Sequence, residues 1–168
     1  LHAAGGRAGV ALTVRSRPGD NLMLHKAINM AVPGDVIVVD AGGDLTNSLM
    51  GEMMLAYAIK QGVVGLVLNG SIRDAGAFLD INLPTFAAGI THRGPYKDGP
   101  GEVNVPISLD GMVIEPGDIV IGDLDGVLAV PRAEAETILK KAEAKLDADT
   151  RQMKAIAEGT NDRSWVDA

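Results

Sequence analysis

Two uninterrupted apolar runs, Val36-Ile37-Val38-Val39 and Val63-Val64-Gly65-Leu66-Val67-Leu68, constrain this chain more than any other feature. A strand exposed on one face alternates apolar and polar side chains, whereas a strand covered on both faces is apolar throughout. Both runs are short, rich in β-branched residues and bounded by turn residues, so they read as buried strands, the first over residues 35–43 and the second over 63–69. Between them Thr46, Asn47 or Ser48 is placed to cap a helix that runs to Gln61, with Gly62 as its stop. Strand, helix and strand in alternation put the chain in the α/β class.

The flanking elements follow the same pattern. Residues 11–17 have strand composition, Pro18-Gly19-Asp20-Asn21 turns the chain, and Asp20 or Asn21 is placed to cap a helix over 22–31. In the second helix Leu49, Met53, Ala56, Tyr57 and Lys60 share a stripe, and Met53 and Met54 read as core or helix-start residues. A further short strand is expected within 81–89. Strand composition resumes at 107–131, after a Gly- and Pro-rich stretch at 92–106. Residues 116–123 echo residues 33–40, which we take as one turn chemistry used twice.

The last element is a helix over 132–158, on the order of 40 Å long at ~1.5 Å per residue. Such a helix is expected to overhang its own subunit. Its apolar positions Ile138, Ala142, Leu146, Met153 and Ile156 would then be covered by a neighbouring protomer, unless the helix bends near residues 146–150.

At 168 residues, 46% hydrophobic and 22% charged, the chain is expected to form one domain over 1–168. It begins at Leu1, not methionine, so a further N-terminal segment is expected before it. No apolar stretch reaches the roughly 18–20 residues a membrane span needs, and no basic segment leads into an apolar one. The expected location is the cytoplasm, with no membrane partner. The chain has no cysteine, which removes disulfides, thiol catalysis and thiolate metal sites together. A net charge of −7 with scattered basic residues argues against a nucleic-acid surface, while one well-placed arginine still suffices for a small carboxylate.

Arg73 and Asp74 follow the second buried run, just after Asn69-Gly70. Strand ends and their loops form the usual ligand crevice of an α/β fold. An aspartate there suits a hard cation, and the guanidinium beside it suits a carboxylate. An isolated Arg-Asp is ordinarily a surface pair worth little. Glu52 changes that balance: twenty residues separate it from Arg73, and helix, turn and strand form a return path that can bring Glu52 and Asp74 to one end of the sheet. The helix start at Gly51-Glu52-Met53-Met54 also offers backbone N–H groups to an anion. Other candidates are weaker. His2, His25 and His92 have no partner at metal-ligand spacing, Lys60 and Lys97 do not fall in strands that would desolvate them, and Asp40, Asp44, Asp123 and Asp125 read as caps and turn residues, with Asp44 the candidate for a supporting contact.

The stretches at 18–21, 33–52, 69–76, 93–106 and 116–131 resemble the 4-hydroxy-4-methyl-2-oxoglutarate aldolases, metal-dependent class II pyruvate aldolases related to the regulator of ribonuclease E activity. The resemblance runs from about Gly5 to Gly159. That family's signature is an acid, twenty residues, then Arg-Asp; Glu52 stands where the best-known members have aspartate. The resemblance implies a three-layer β/β/α swivelling-domain fold, assembled as a homotrimer with the long C-terminal helix packed on a neighbouring subunit. It implies Asp74 as the direct ligand of Mg²⁺ or Mn²⁺, Glu52 holding water on that metal, and Arg73 binding the pyruvyl unit of a small 2-oxo acid. The backbone amides of Met53 and Met54, with Gly51 beside them, would receive the substrate carboxylate. Asn21 would line the pocket, and Asp149 of a neighbouring subunit would reach the metal's waters. The implied activities are retro-aldol cleavage to pyruvate and oxaloacetate decarboxylation. The relatives also suggest a non-catalytic regulatory binder as the alternative.

Overall fold

The computed structural model describes residues 7–167; His2 and the start of the resemblance lie outside them. The chain divides into two compact units, one reaching to Arg132 and the other starting at Ala133.

The first unit is built on β1 (Arg7–Ser16), β2 (Asp35–Asp40) and β4 (Gly65–Ile72), which lie side by side and parallel. Side chains alternate along each strand, so one residue in two faces each way. Leu12, Val14, Ile37, Val39, Leu66 and Leu68 face helices α1 (Leu22–Met30), α2 (Glu52–Lys60) and α3 (Ala75–Ile81), which bury Leu24, Ile28, Leu55, Ala58 and Phe78 against them. Ala11, Val36, Val38 and Val67 face the other way and pack with Ile107 and Ile114 of the hairpin formed by β7 (Ile107–Leu109) and β8 (Met112–Ile114). Helices, sheet and hairpin make three layers. This is why residues 36–39 of β2 and 65–68 of β4 are apolar without interruption.

The remaining strands extend the sheet. β3 (Ser48–Met50) and β5 (Thr85–Ile90) join β4 in parallel, and β6 (Gly101–Val103) and β9 (Ile119–Gly122) join β1 antiparallel. β10 (Val127–Val130) pairs with β9. The two Pro-Gly-Asp turns use one chemistry. Asp35 Oδ2 accepts from Val32 N–H and Asp118 Oδ2 from Glu115 N–H, each at 2.9 Å. The strands they launch run in opposite directions against β1, so the echo is a repeated turn and not a repeated unit.

Several expectations are corrected. Residues 48–50 form a buried strand, so Thr46, Asn47 and Ser48 cap nothing; the N-cap of α2 is Gly51. With Leu49 in β3, the stripe of Met53, Ala56, Tyr57 and Lys60 is the outer face of α2, and its core face is Met54, Leu55 and Ala58. Of the two methionines read as core or helix-start residues, Met53 stands at the start of α2 and is 77% exposed, while Met54 is in the core. The strand within 81–89 starts only at Thr85, because 75–81 forms α3. β2 stops at Asp40, whose Oδ1 accepts from Gly42 N–H in the following turn.

The second unit is dominated by α4 (Ala135–Glu158), 24 residues and about 36 Å long. It runs unbroken through residues 146–150. None of its residues is buried.

Candidate active site

Sequence-distant residues converge where β3 and β4 end. Arg73 N–H donates to Met50 O at 2.9 Å, tying the two strand ends together. The next residue, Asp74, adopts a left-handed conformation with φ 55° as the N-cap of α3. For a residue with a Cβ that conformation costs roughly 1–2 kcal/mol, and it turns the chain within one residue. Asp74 Oδ2 then accepts from the backbone N–H of Glu52 at 3.1 Å and lies 3.5 Å from Arg73 Nε. Glu52 and Asp74 thus meet across the start of α2.

Gly51 makes this meeting sterically feasible. A Cβ there would lie 2.5 Å from Asp74 Oδ2 and 2.9 Å from Arg73 Nε, closer than real Cβ atoms approach. The first intrahelical bond of α2 runs from Leu55 N–H to Gly51 O, so the N–H groups of Met53 and Met54 precede it. A chamber of about 260 Å³ opens here, with Asn21, Gly51, Glu52, Met53, Met54, Arg73 and Asp74 in its wall. Asn21, Gly51, Glu52, Met53, Met54, Arg73 and Asp74 therefore border one cavity, while Asp44 does not.

A second chamber of about 600 Å³ shares Asn21, Met53, Met54, Arg73 and Pro95 with the first and adds His25, Asn29, Tyr57 and Lys97. Burial lowers the pKa of His25, and the Lys97 charge lowers it further, so both favour the neutral imidazole. His25, Tyr57 and Lys97 were not singled out as site residues from sequence. The one available signal was that Tyr57 shares a helical stripe with Met53.

The loop carrying Pro95 and Lys97 is held by Asp20, which is fully buried. Asp20 Oδ1 accepts from Leu22 N–H at 2.9 Å, while Oδ2 accepts from Asp98 N–H at 2.8 Å, Gly99 N–H at 2.9 Å and Arg17 at 3.1 Å. Burial alone would raise its pKa. The three backbone donors and the Arg17 charge outweigh it and hold the carboxyl below its ordinary value. Asp20 is thus the side chain that serves the α1 terminus, while Asn21, at the N-cap position, makes no cap bond. Asn21 Nδ2 instead donates to Leu49 O at 2.9 Å and approaches Met54 Sδ at 3.3 Å.

Among the other candidates, Asp44 accepts from Thr46 Oγ1 at 2.8 Å, and Asp123 Oδ1 from Asp125 N–H at 2.9 Å, both local turn contacts. Asp149 lies in α4 and pairs with Lys145 one turn away. Among the described residues no group of three or more His, Asp or Glu side chains gathers as a cation cage. Mg²⁺ characteristically keeps several waters and takes one or two protein carboxylates. Glu52 and Asp74 both line the smaller chamber, and the Asp74 side chain is 45% exposed.

Comparison with known proteins points the same way as the motifs. A family model described as RraA-like, Aldolase/RraA, matches residues 1–129. A protein of Halalkalibacterium halodurans named "Putative 4-hydroxy-4-methyl-2-oxoglutarate aldolase" is 43% identical over 150 residues, covering 89% of this chain and 71% of that protein. The RNA-processing inhibitor RraA from Thermus thermophilis superposes with a TM-score of 0.73 at 31% identity, over 77% of this chain and 79% of that one. Streptomyces coelicolor RraAS2, described as an unusual member of the RNase ES inhibitor RraA family, gives a TM-score of 0.81 at 27% identity, over 92% and 81% of the two chains. The chain belongs to the RraA-like, Aldolase/RraA family.

Proposed function

We propose that the chain is a divalent-metal-dependent carbon–carbon lyase that cleaves 2-oxo acids of the 4-hydroxy-4-methyl-2-oxoglutarate type to pyruvate and decarboxylates oxaloacetate at the same site. The observation that carries this reading is the cradle at Gly51, where the Glu52 backbone N–H and the Arg73 guanidinium both approach the Asp74 carboxylate. Asp74 would hold Mg²⁺ or Mn²⁺, with Glu52 reaching it through water. When bound there, the cation supplies Lewis-acid polarisation of the substrate keto oxygen.

The chain's own groups account for the rest. Arg73 fixes positive charge beside the 2-oxo acid, where negative charge grows as the C3–C4 bond breaks. The N–H groups of Met53 and Met54 suit the substrate carboxylate. In the retro-aldol direction the C4 hydroxyl loses its proton through water to the Glu52 carboxylate. The O–H electron pair forms the new carbonyl, and the C3–C4 pair moves onto C3 to leave the pyruvate enolate, which is protonated at C3. Decarboxylation reaches the same enolate without that first proton transfer. Assembly as a homotrimer would bring α4 of a neighbouring copy, and with it Asp149, to the waters around the cation.

The second reading is a regulatory binding protein without catalysis. The comparisons lean toward it more than toward the lyase: two solved relatives are named as inhibitors of RNA processing or of an RNase. Pyruvate release from oxaloacetate and from 4-hydroxy-4-methyl-2-oxoglutarate, with and without Mg²⁺, separates the two. Metal-dependent release supports the lyase. Its absence from folded protein, together with inhibition of a ribonuclease, supports the regulator.

A further inference from the structure

Asn21 is 2% exposed, borders both chambers and has its two amide hydrogens directed at Leu49 O and Met54 Sδ. Its Oδ1 is buried and has no hydrogen-bond partner. Exchanging the amide's oxygen and nitrogen would set Oδ1 against the Leu49 carbonyl, acceptor against acceptor, so the hydrogen bonds fix the orientation. A buried acceptor without a donor is rare in folded proteins and calls for a reason. The residue lines both the small chamber, which Glu52, Arg73 and Asp74 also border, and the large one beside it.

We propose that Asn21 is a positioning residue for the aldol half of the chemistry, its side-chain carbonyl accepting one hydrogen of the water through which the C4 hydroxyl proton leaves. This rests on the lyase reading. A water that donates one hydrogen to Asn21 presents a lone pair to the substrate hydroxyl, takes that proton, and passes a proton to the Glu52 carboxylate. An amide oxygen is too weak a base to take the proton itself, so Asn21 orients the relay and gains no proton. Oxaloacetate has no C4 hydroxyl, and its decarboxylation needs no such relay. The consequence is selective: Asn21 should matter more for one of the two reactions than for the other.

The test is steady-state pyruvate release from 4-hydroxy-4-methyl-2-oxoglutarate and from oxaloacetate, in Mg²⁺, for the natural protein, Asn21→Ala and Asn21→Asp. The inference expects the ratio of aldol cleavage to decarboxylation to fall at least about tenfold in Asn21→Ala, in the range general acid–base contributions take, with the change in kcat and not in KM. Asn21→Asp keeps an acceptor oxygen but sets its second oxygen against Leu49 O, so its ratio should lie between those of the natural protein and Asn21→Ala. Thermal unfolding of each variant reports that it is folded. Equal loss of both reactions, or an unchanged ratio, overturns the inference. A rise in KM for the hydroxylated substrate alone also overturns it, because that is direct contact with the substrate hydroxyl. Turnover of neither substrate by the natural protein overturns the lyase reading itself, and this inference with it.

Discussion

Gly51 is held by space and not by backbone angle. Its φ of −138° is open to any residue, but a methyl group would collide with Asp74 Oδ2 and Arg73 Nε. Gly51→Ala should therefore push the two side chains apart while leaving the core of α2 intact. We expect at least about a tenfold loss of pyruvate release with little change in melting temperature, read by turnover and thermal unfolding side by side. Asp20 makes a different prediction. Its carboxylate is buried among four donors, so Asp20→Asn should cost about 3 kcal/mol or more. Because the folded pKa is depressed, the stabilisation is present above the ordinary carboxylate value near ~3.9 and is lost as pH falls through the lower folded value. Urea unfolding across pH should show the gap between the natural protein and Asp20→Asn narrowing below about pH 4.

At the scale of elements, the site depends on two short pieces that carry little sequence signal. β3 has three residues, too few to show alternation, and its apolar Leu49-Met50 reads equally well as a helix start. α3 has seven, of which only Phe78 is buried, so no helical stripe can be counted in it. Both are fixed by tertiary contact: β3 by its pairing with β4, and α3 by Phe78 in the core beneath the sheet. The long runs of β2 and β4 were legible because burial on both faces leaves a pattern that needs no context. Phe78→Ala should destabilise the fold by about 3–5 kcal/mol, and chemical denaturation measures it. α4 offers the complementary test. Leu139, Leu146 and Met153 recur every seven residues and are all exposed. If they pack on a neighbouring copy, Leu146→Glu with Met153→Glu should reduce the mass seen by light scattering to that of one chain. An unchanged mass would assign these side chains no part in assembly.

At the scale of the whole molecule, the spacing from Glu52 to Arg73-Asp74 was readable because a helix, a turn and a buried strand make a path of fixed length that returns to one end of the sheet. The larger chamber was not readable. His25 on α1, Tyr57 on α2 and Lys97 in the loop held by Asp20 come together only through packing of elements far apart in the chain. The relatives are named both as an aldolase and as inhibitors, and metal-dependent turnover is what separates the two readings. The most direct measurement is pyruvate release from oxaloacetate and 4-hydroxy-4-methyl-2-oxoglutarate, with and without Mg²⁺, by the natural protein and by Asp74→Asn. The lyase account predicts turnover that requires Mg²⁺ and falls at least about a hundredfold in the variant. Folded, Mg²⁺-supplied natural protein that releases no pyruvate from either substrate, or turnover indifferent to Asp74, would contradict it.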